Sequence, residues 1–118
     1  DASLVEWARH NAARSGAANA IFHAADLTGD LRDQGWARGG YERVLLDPPR
    51  SGALEMMPWV AALGAERVVY VSCHPATLAR DVGELVHRFA YRLESVGVLD
   101  MFPHTAHVES MAVLVRRV

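Results

Sequence analysis

The chain has 118 residues, 51% of them hydrophobic and 22% charged, with a net charge of −2 at pH 7. That suffices for one buried core, and so for one domain at most. No apolar run reaches spanning length and no secretory signal is present, and the single cysteine excludes an internal disulfide or a cysteine-rich metal cluster, so a soluble protein of the reducing cytoplasm is expected.

Every basic residue is an arginine, but the overall balance is slightly acidic, and charge alone does not point to nucleic acid. Ser3 and Glu6 have capping-box spacing, and Leu4, Val5, Ala8 and Ala12 form a stripe. A first helix is predicted from about Leu4 to Ser15, ended by Gly16. The chain lacks an initiating methionine and no strand precedes this helix, which reads as a piece of a longer protein. Residues 20–24, Ala-Ile-Phe-His-Ala, form a short strand candidate, with Asp26 just past its end. From Leu27 to Gly40 the pattern is weak; Leu31 and Trp36 are candidates for packing, and Gly35, Gly39 and Gly40 signal a loop. Arg43 to Asp47 is an apolar strand stopped by Pro48-Pro49, since proline cannot donate to a ladder.

Residues 54–63 read as a helix with Pro58 in its first turn and Gly64 as its cap. A strand over 67–72 and a helix over 75–88 follow. Leu78, Val82, Leu85, Val86 and Phe89 make the apolar stripe of that helix, and Pro75 suits its first position. Tyr91 to Asp100 is a strand with a bulge expected at Gly97. A loop, Met101 to His107, leads to a last strand, Ser110 to Arg116.

Strands alternating with helices imply an α/β fold with a mostly parallel sheet. Ligands in such sheets collect outside the carboxyl ends of the strands, and Asp26, Asp47 and Cys73 all fall there. Cys73 stands at a strand-to-helix corner, where free amides such as those of Ala76 and Thr77 would favour thiolate. The commoner fate of a lone cysteine is burial as a small apolar residue. Asp47 capping a turn would be equally ordinary, but the two prolines after it stiffen the loop in one shape. A phosphatase loop between Cys73 and Arg80 fails: the spacing is one residue too long and lacks glycine. Asp100, His104, His107 and Glu109 are potential metal ligands, though neighbouring polar residues in a loop more often bond its own backbone. Glu109 stands apart, because a carboxylate near a thiol is a natural general base.

Three stretches carry a family resemblance: L-L-D-P-P-R-S-G (45–52), Y-V-S-C-H-P-A-T-L-A-R-D (70–81) and L-D-M-F-P-H-T-A-H-V-E-S-M (99–111). Together they resemble the RNA uracil-5-methyltransferases that use S-adenosylmethionine, closer to the bacterial 23S ribosomal-RNA branch than to the transfer-RNA enzyme. The resemblance implies a Rossmann-like class I methyltransferase fold, of which this chain is the C-terminal catalytic part. It makes Cys73 the nucleophile and Glu109 the base that removes the carbon-5 proton. Asp47 would line the cofactor and target-base pocket, and Asp26 would contact the adenine part of the cofactor. Phe102 either helps hold the target base or packs in the core. The family usually has asparagine where this chain has His74. Its glycine-rich cofactor loop, its RNA-binding domain and, in some members, an iron–sulfur cluster would lie upstream. A chain without the upstream strands should bind the cofactor weakly, leave the Ile21 strand displaced and tend to self-associate. Two rival readings are an amino-group methyltransferase, which also uses Asp-Pro-Pro, and a non-catalytic binding or scaffold module.

Overall fold

The computed structural model describes all of residues 1–118. Three helices form, α1 (Ala2–Arg14), α2 (Met57–Leu63) and α3 (Pro75–Arg88), with short 3₁₀ turns at Gly35–Arg38 and Leu54–Met56. Four strands, β1 (Arg43–Leu46), β2 (Arg67–Ser72), β3 (Tyr91–Leu99) and β4 (Glu109–Arg116), pair in the order β1-β2-β4-β3. The β1–β2 pair is parallel, whereas β4 runs antiparallel to both β2 and β3. The fold is α/β as expected, but the sheet is mixed and not mostly parallel. The reason lies in the connections. A helix between β2 and β3 permits a crossover, while a loop without a helix between β3 and β4 can only reverse the chain.

Alternation along the strands puts the core on one face. Val68, Tyr70 and Ser72 of β2 and Ser110, Ala112 and Leu114 of β4 are all buried there. Against them pack Met57 and Val60 of α2 and Leu78, Val82 and Leu85 of α3, each buried side chain contributing roughly 1.5–3 kcal/mol. Leu31, predicted only as a packing candidate, is fully buried in the same cluster. The opposite face is open: Leu45 is 70% exposed and Met111 37%.

The helix over Pro75–Arg88 has the predicted bounds, because proline starts it and the stripe keeps its period to the end. Elsewhere local signals were outcompeted. The α1 cap is Asp1, whose Oδ1 accepts from the Ser3 amide at 2.8 Å, and Glu6 bonds Arg9 instead of closing a capping box. Residues 20–26 form no strand, and Ile21 is 82% exposed, since an apolar run becomes a strand only beside a partner. The β3 irregularity falls between Leu93 and Ser95, not at Gly97, which pairs in register with Met111. Glu94, the extra residue, accepts from Arg67 Nη1 at 2.5 Å. Phe102 is half exposed, so the core role does not hold.

Candidate active site at the carboxyl ends of β1 and β2

β1 runs out at Leu46 and β2 at Ser72, so Asp47 and Cys73 are the first residues past two adjacent parallel strands. The β2–β4 ladder ends with Ser72 opposite Ser110, so Cys73 and Glu109 are the residues that flank its last pair. By the strand alternation Glu109 belongs with Met111 to the open face of the sheet; Cys73 sits in the bend just past β2, and both are half-buried. Asp47, on the same parity as Leu45, belongs to the open face as well and is exposed.

Two buried serines hold the corner that carries the thiol. Ser110 Oγ donates to the Ser72 carbonyl at 3.1 Å, tying β4 to the last residue of β2. Ser72 Oγ accepts the His74 amide at 2.9 Å and lies 3.0 Å from the His74 carbonyl, which closes the turn around Cys73. His74 then caps α3: its Nδ1 accepts the Thr77 amide at 3.2 Å. An asparagine oxygen caps a helix in the same way. The Thr77 amide is therefore engaged, and of the two amides expected to face the thiol only that of Ala76 is left.

Beside Asp47 lies a cleft of about 600 Å³, walled by Leu27, Thr28, Pro48, Pro49, Ser51 and Leu54 among others. Asp26 does not line it. Its Oδ1 accepts from the Thr28 amide at 3.0 Å and hydroxyl at 2.7 Å, and these bonds hold its carboxyl below the usual carboxylate range. Its neighbours Leu27 and Thr28 reach the cleft instead. The structure thus sets Cys73, Glu109 and Asp47 at one end of the sheet and leaves Asp26 on the adjoining surface.

No three histidine, cysteine, aspartate or glutamate side chains converge as a metal site. In the loop with His104 and His107, Thr105 Oγ1 donates to the Phe102 carbonyl at 2.7 Å and lies 3.2 Å from the His107 amide. Sequence reading overlooked Asp81, the one buried charged residue, and its partner Tyr70. A signal was present: Asp81 sits three residues after Leu78 and four before Leu85, on the apolar stripe itself.

Comparison with known proteins places these features in context. The sequence profile of the tRNA (Uracil-5-)-methyltransferase family matches residues 29–117. A 23S rRNA (uracil(1939)-C(5))-methyltransferase of Alkalilimnicola ehrlichii is 67% identical over 114 residues, covering 97% of this chain and 26% of its own. The enzyme of that description from Xanthomonas oryzae pv. oryzae is 57% identical over 117 residues, with 99% and 26% covered. Among solved structures, the Pyrococcus abyssi tRNA (uracil-54, C5)-methyltransferase in complex with S-adenosyl-L-homocysteine superposes with a TM-score of 0.75 at 34% identity, over 98% of this chain and 27% of that one. The chain spans about a quarter of the length of the relatives it matches.

Proposed function

Because the chain belongs to the tRNA (Uracil-5-)-methyltransferase family, we propose that it forms part of a catalytic domain that methylates carbon 5 of a uridine in RNA, with ribosomal RNA favoured over transfer RNA. The observation that supports this reading is the end of the β2–β4 ladder at Ser72 and Ser110, which brings Cys73 and Glu109 to one end of the sheet, with Asp47 at the neighbouring strand end.

Carbon 5 of uracil is too weak a nucleophile to take a methyl group unaided. The Cys73 thiolate adds to carbon 6, and the electron pair this delivers makes carbon 5 enolate-like. S-adenosylmethionine, when bound, supplies an electrophilic methyl group. Glu109 then takes the proton from carbon 5, the carbon 6–sulfur bond breaks, and the thiolate is regenerated. The target base must leave any stack to reach this corner. The cleft beside Asp47 suits a nucleoside cofactor, having apolar walls at Leu27, Pro48 and Pro49 and polar groups at Thr28, Asp47 and Ser51. Asp47 and that wall would hold it, with Asp26 at the rim assigned to the adenine end.

The bacterial cytoplasm is the compartment where such an enzyme meets ribosomal RNA and where Cys73 stays reduced. No helix here is long and apolar enough to cross a membrane. A full-length protein carrying this segment, given S-adenosylmethionine and RNA with 5-fluorouridine at the target, should form an adduct that survives denaturing electrophoresis. Cys73→Ala should abolish it. Amino-group methyl transfer needs no thiol, so activity that persists in Cys73→Ala would refute the thiolate route.

A further inference from the structure

The charge that the proposed chemistry does not use is Asp81, fully buried in the first turns of α3. Its Oδ2 accepts from the Ala53 amide at 2.7 Å and from the Tyr70 hydroxyl at 2.5 Å, while Oδ1 accepts from Arg80 Nε at 2.8 Å. Arg80 Nη2 in turn donates to the Ser51 carbonyl at 2.9 Å, and Thr77 Oγ1 lies 3.0 Å from the Arg50 carbonyl. Between these anchors Gly52 has φ +79, and a Cβ there would come within 2.6 Å of Asp81 Oδ2. The loop after Asp47 is therefore pinned at Arg50, Ser51 and Ala53 to the helix that begins just after Cys73.

Burying a carboxylate is costly, and an apolar residue at this point of the stripe would avoid the cost. What the carboxylate supplies is aim: it receives a backbone amide of the loop and a hydroxyl of the central strand at one oxygen. No buried side-chain polar atom is left unpartnered, so the network is complete. Tyr70 belongs to β2, whose next residues lead to Cys73, so the network joins both halves of the site.

We propose that Asp81, with Tyr70, is a positioning residue: it fixes the Asp47-Pro48-Pro49 loop against the Cys73 corner and so sets affinity in the Asp47 cleft without touching what binds there. This rests on the methyl-transfer reading above.

The test uses a full-length protein carrying this segment, with steady-state kinetics in S-adenosylmethionine at saturating uridine RNA. Asp81→Asn keeps the size but turns one acceptor oxygen into a donating amide, so it cannot serve both the Arg80 Nε and the pair of donors at Oδ2. It should raise KM for S-adenosylmethionine about tenfold, with kcat changed less than about threefold. Tyr70→Phe removes one donor, should shift KM in the same direction by a smaller factor, and serves if Asp81→Asn does not fold. Val82→Ala, one residue along α3 and in the core, lowers stability without touching the loop and should leave KM unchanged. A KM within about twofold of normal in a folded Asp81→Asn protein, or an equal rise in Val82→Ala, overturns the positioning role. Unmutated protein that neither methylates uridine RNA nor traps its 5-fluorouridine form overturns the methyl-transfer reading instead, and the two failures are distinct.

Discussion

Cys73 and Glu109 flank the last pair of the β2–β4 ladder, Ser72 opposite Ser110, one residue beyond it on each strand. The ladder runs without interruption from Arg67 opposite Val115 to Ser72 opposite Ser110, six pairs in one register. The antiparallel direction of β4 is what makes this possible. A strand parallel to β2 would present its carboxyl end here, whereas β4 presents its amino end and brings its first residue, Glu109, to the end of the sheet where Cys73 follows β2.

The first prediction separates attack from release. If Cys73 adds to carbon 6 and Glu109 removes the carbon-5 proton, Glu109→Gln should still form the carbon 6–sulfur bond but fail to resolve it. In a full-length protein, ordinary uridine RNA plus S-adenosylmethionine should then accumulate as a covalent adduct, with turnover lowered roughly 10²–10⁴-fold. Denaturing gels and methyl-transfer assays measure both. Turnover at the unmutated rate would remove Glu109 from the reaction.

A second prediction concerns the residue after the cysteine. His74 Nδ1 caps α3 through the Thr77 amide, so His74→Ala should cost about 1 kcal/mol in urea denaturation. His74→Asn should recover most of that, since an amide oxygen is a better cap. If asparagine destabilises as much as alanine, the cap contributes nothing and the histidine is there for another reason.

These residues show which features a sequence exposes. Pro75 and the stripe from Leu78 to Phe89 gave α3 its bounds because starting residue, period and burial agree. Cys73, Asp47 and Glu109 were legible as strand-end residues, yet their meeting at one end of the sheet depends on β4 running antiparallel, which periodicity does not encode. Ile21 lies in a run with strand-like composition, but pairing is a property of two segments and the composition of one does not supply it. Asp81 was hidden differently: its acceptors serve Ala53 and Tyr70, residues 28 and 11 positions away, and no local pattern records such a bond.

The third prediction is a pH dependence. Burial, and then the bond to Asp81, push the Tyr70 phenol well above its ordinary value of 10.0. A group whose folded pKa is raised contributes stability fully present below the unfolded pKa and lost as pH rises toward the folded one. Tyr70 should therefore leave stability unaffected up to about pH 10 and erode it above, as the unfolded chain releases the proton first. Burial also raises Tyr91, whose hydroxyl donates to the Ala65 carbonyl at 2.7 Å, so it contributes in the same direction. Urea midpoints measured from pH 8 to 11.5 should fall above about pH 10, less steeply in Tyr70→Phe. Equal slopes in the two proteins would mean that Tyr70 ionises as readily folded as unfolded.

The last prediction compares two glycines. Gly40 and Gly52 both have positive φ, +90 and +79, so alanine is strained at either, at roughly 1 kcal/mol. They differ in what surrounds them. Nothing lies within 4 Å of a Cβ built on Gly40, whereas one on Gly52 meets Asp81 Oδ2 at 2.6 Å, Arg80 Nη2 at 2.7 Å and Thr77 Cβ at 3.2 Å. Arg80 is exposed at its end and can swing aside, but Asp81 is held by the Ala53 amide and the Tyr70 hydroxyl and cannot move without breaking both. Gly52→Ala should thus add about 1–3 kcal/mol of overpacking to the backbone strain. Its thermal midpoint should fall well below that of Gly40→Ala, by several degrees for each added kcal/mol. Equal midpoints for the two variants would show that the loop yields freely at Gly52, and that the contact with α3 does not hold it.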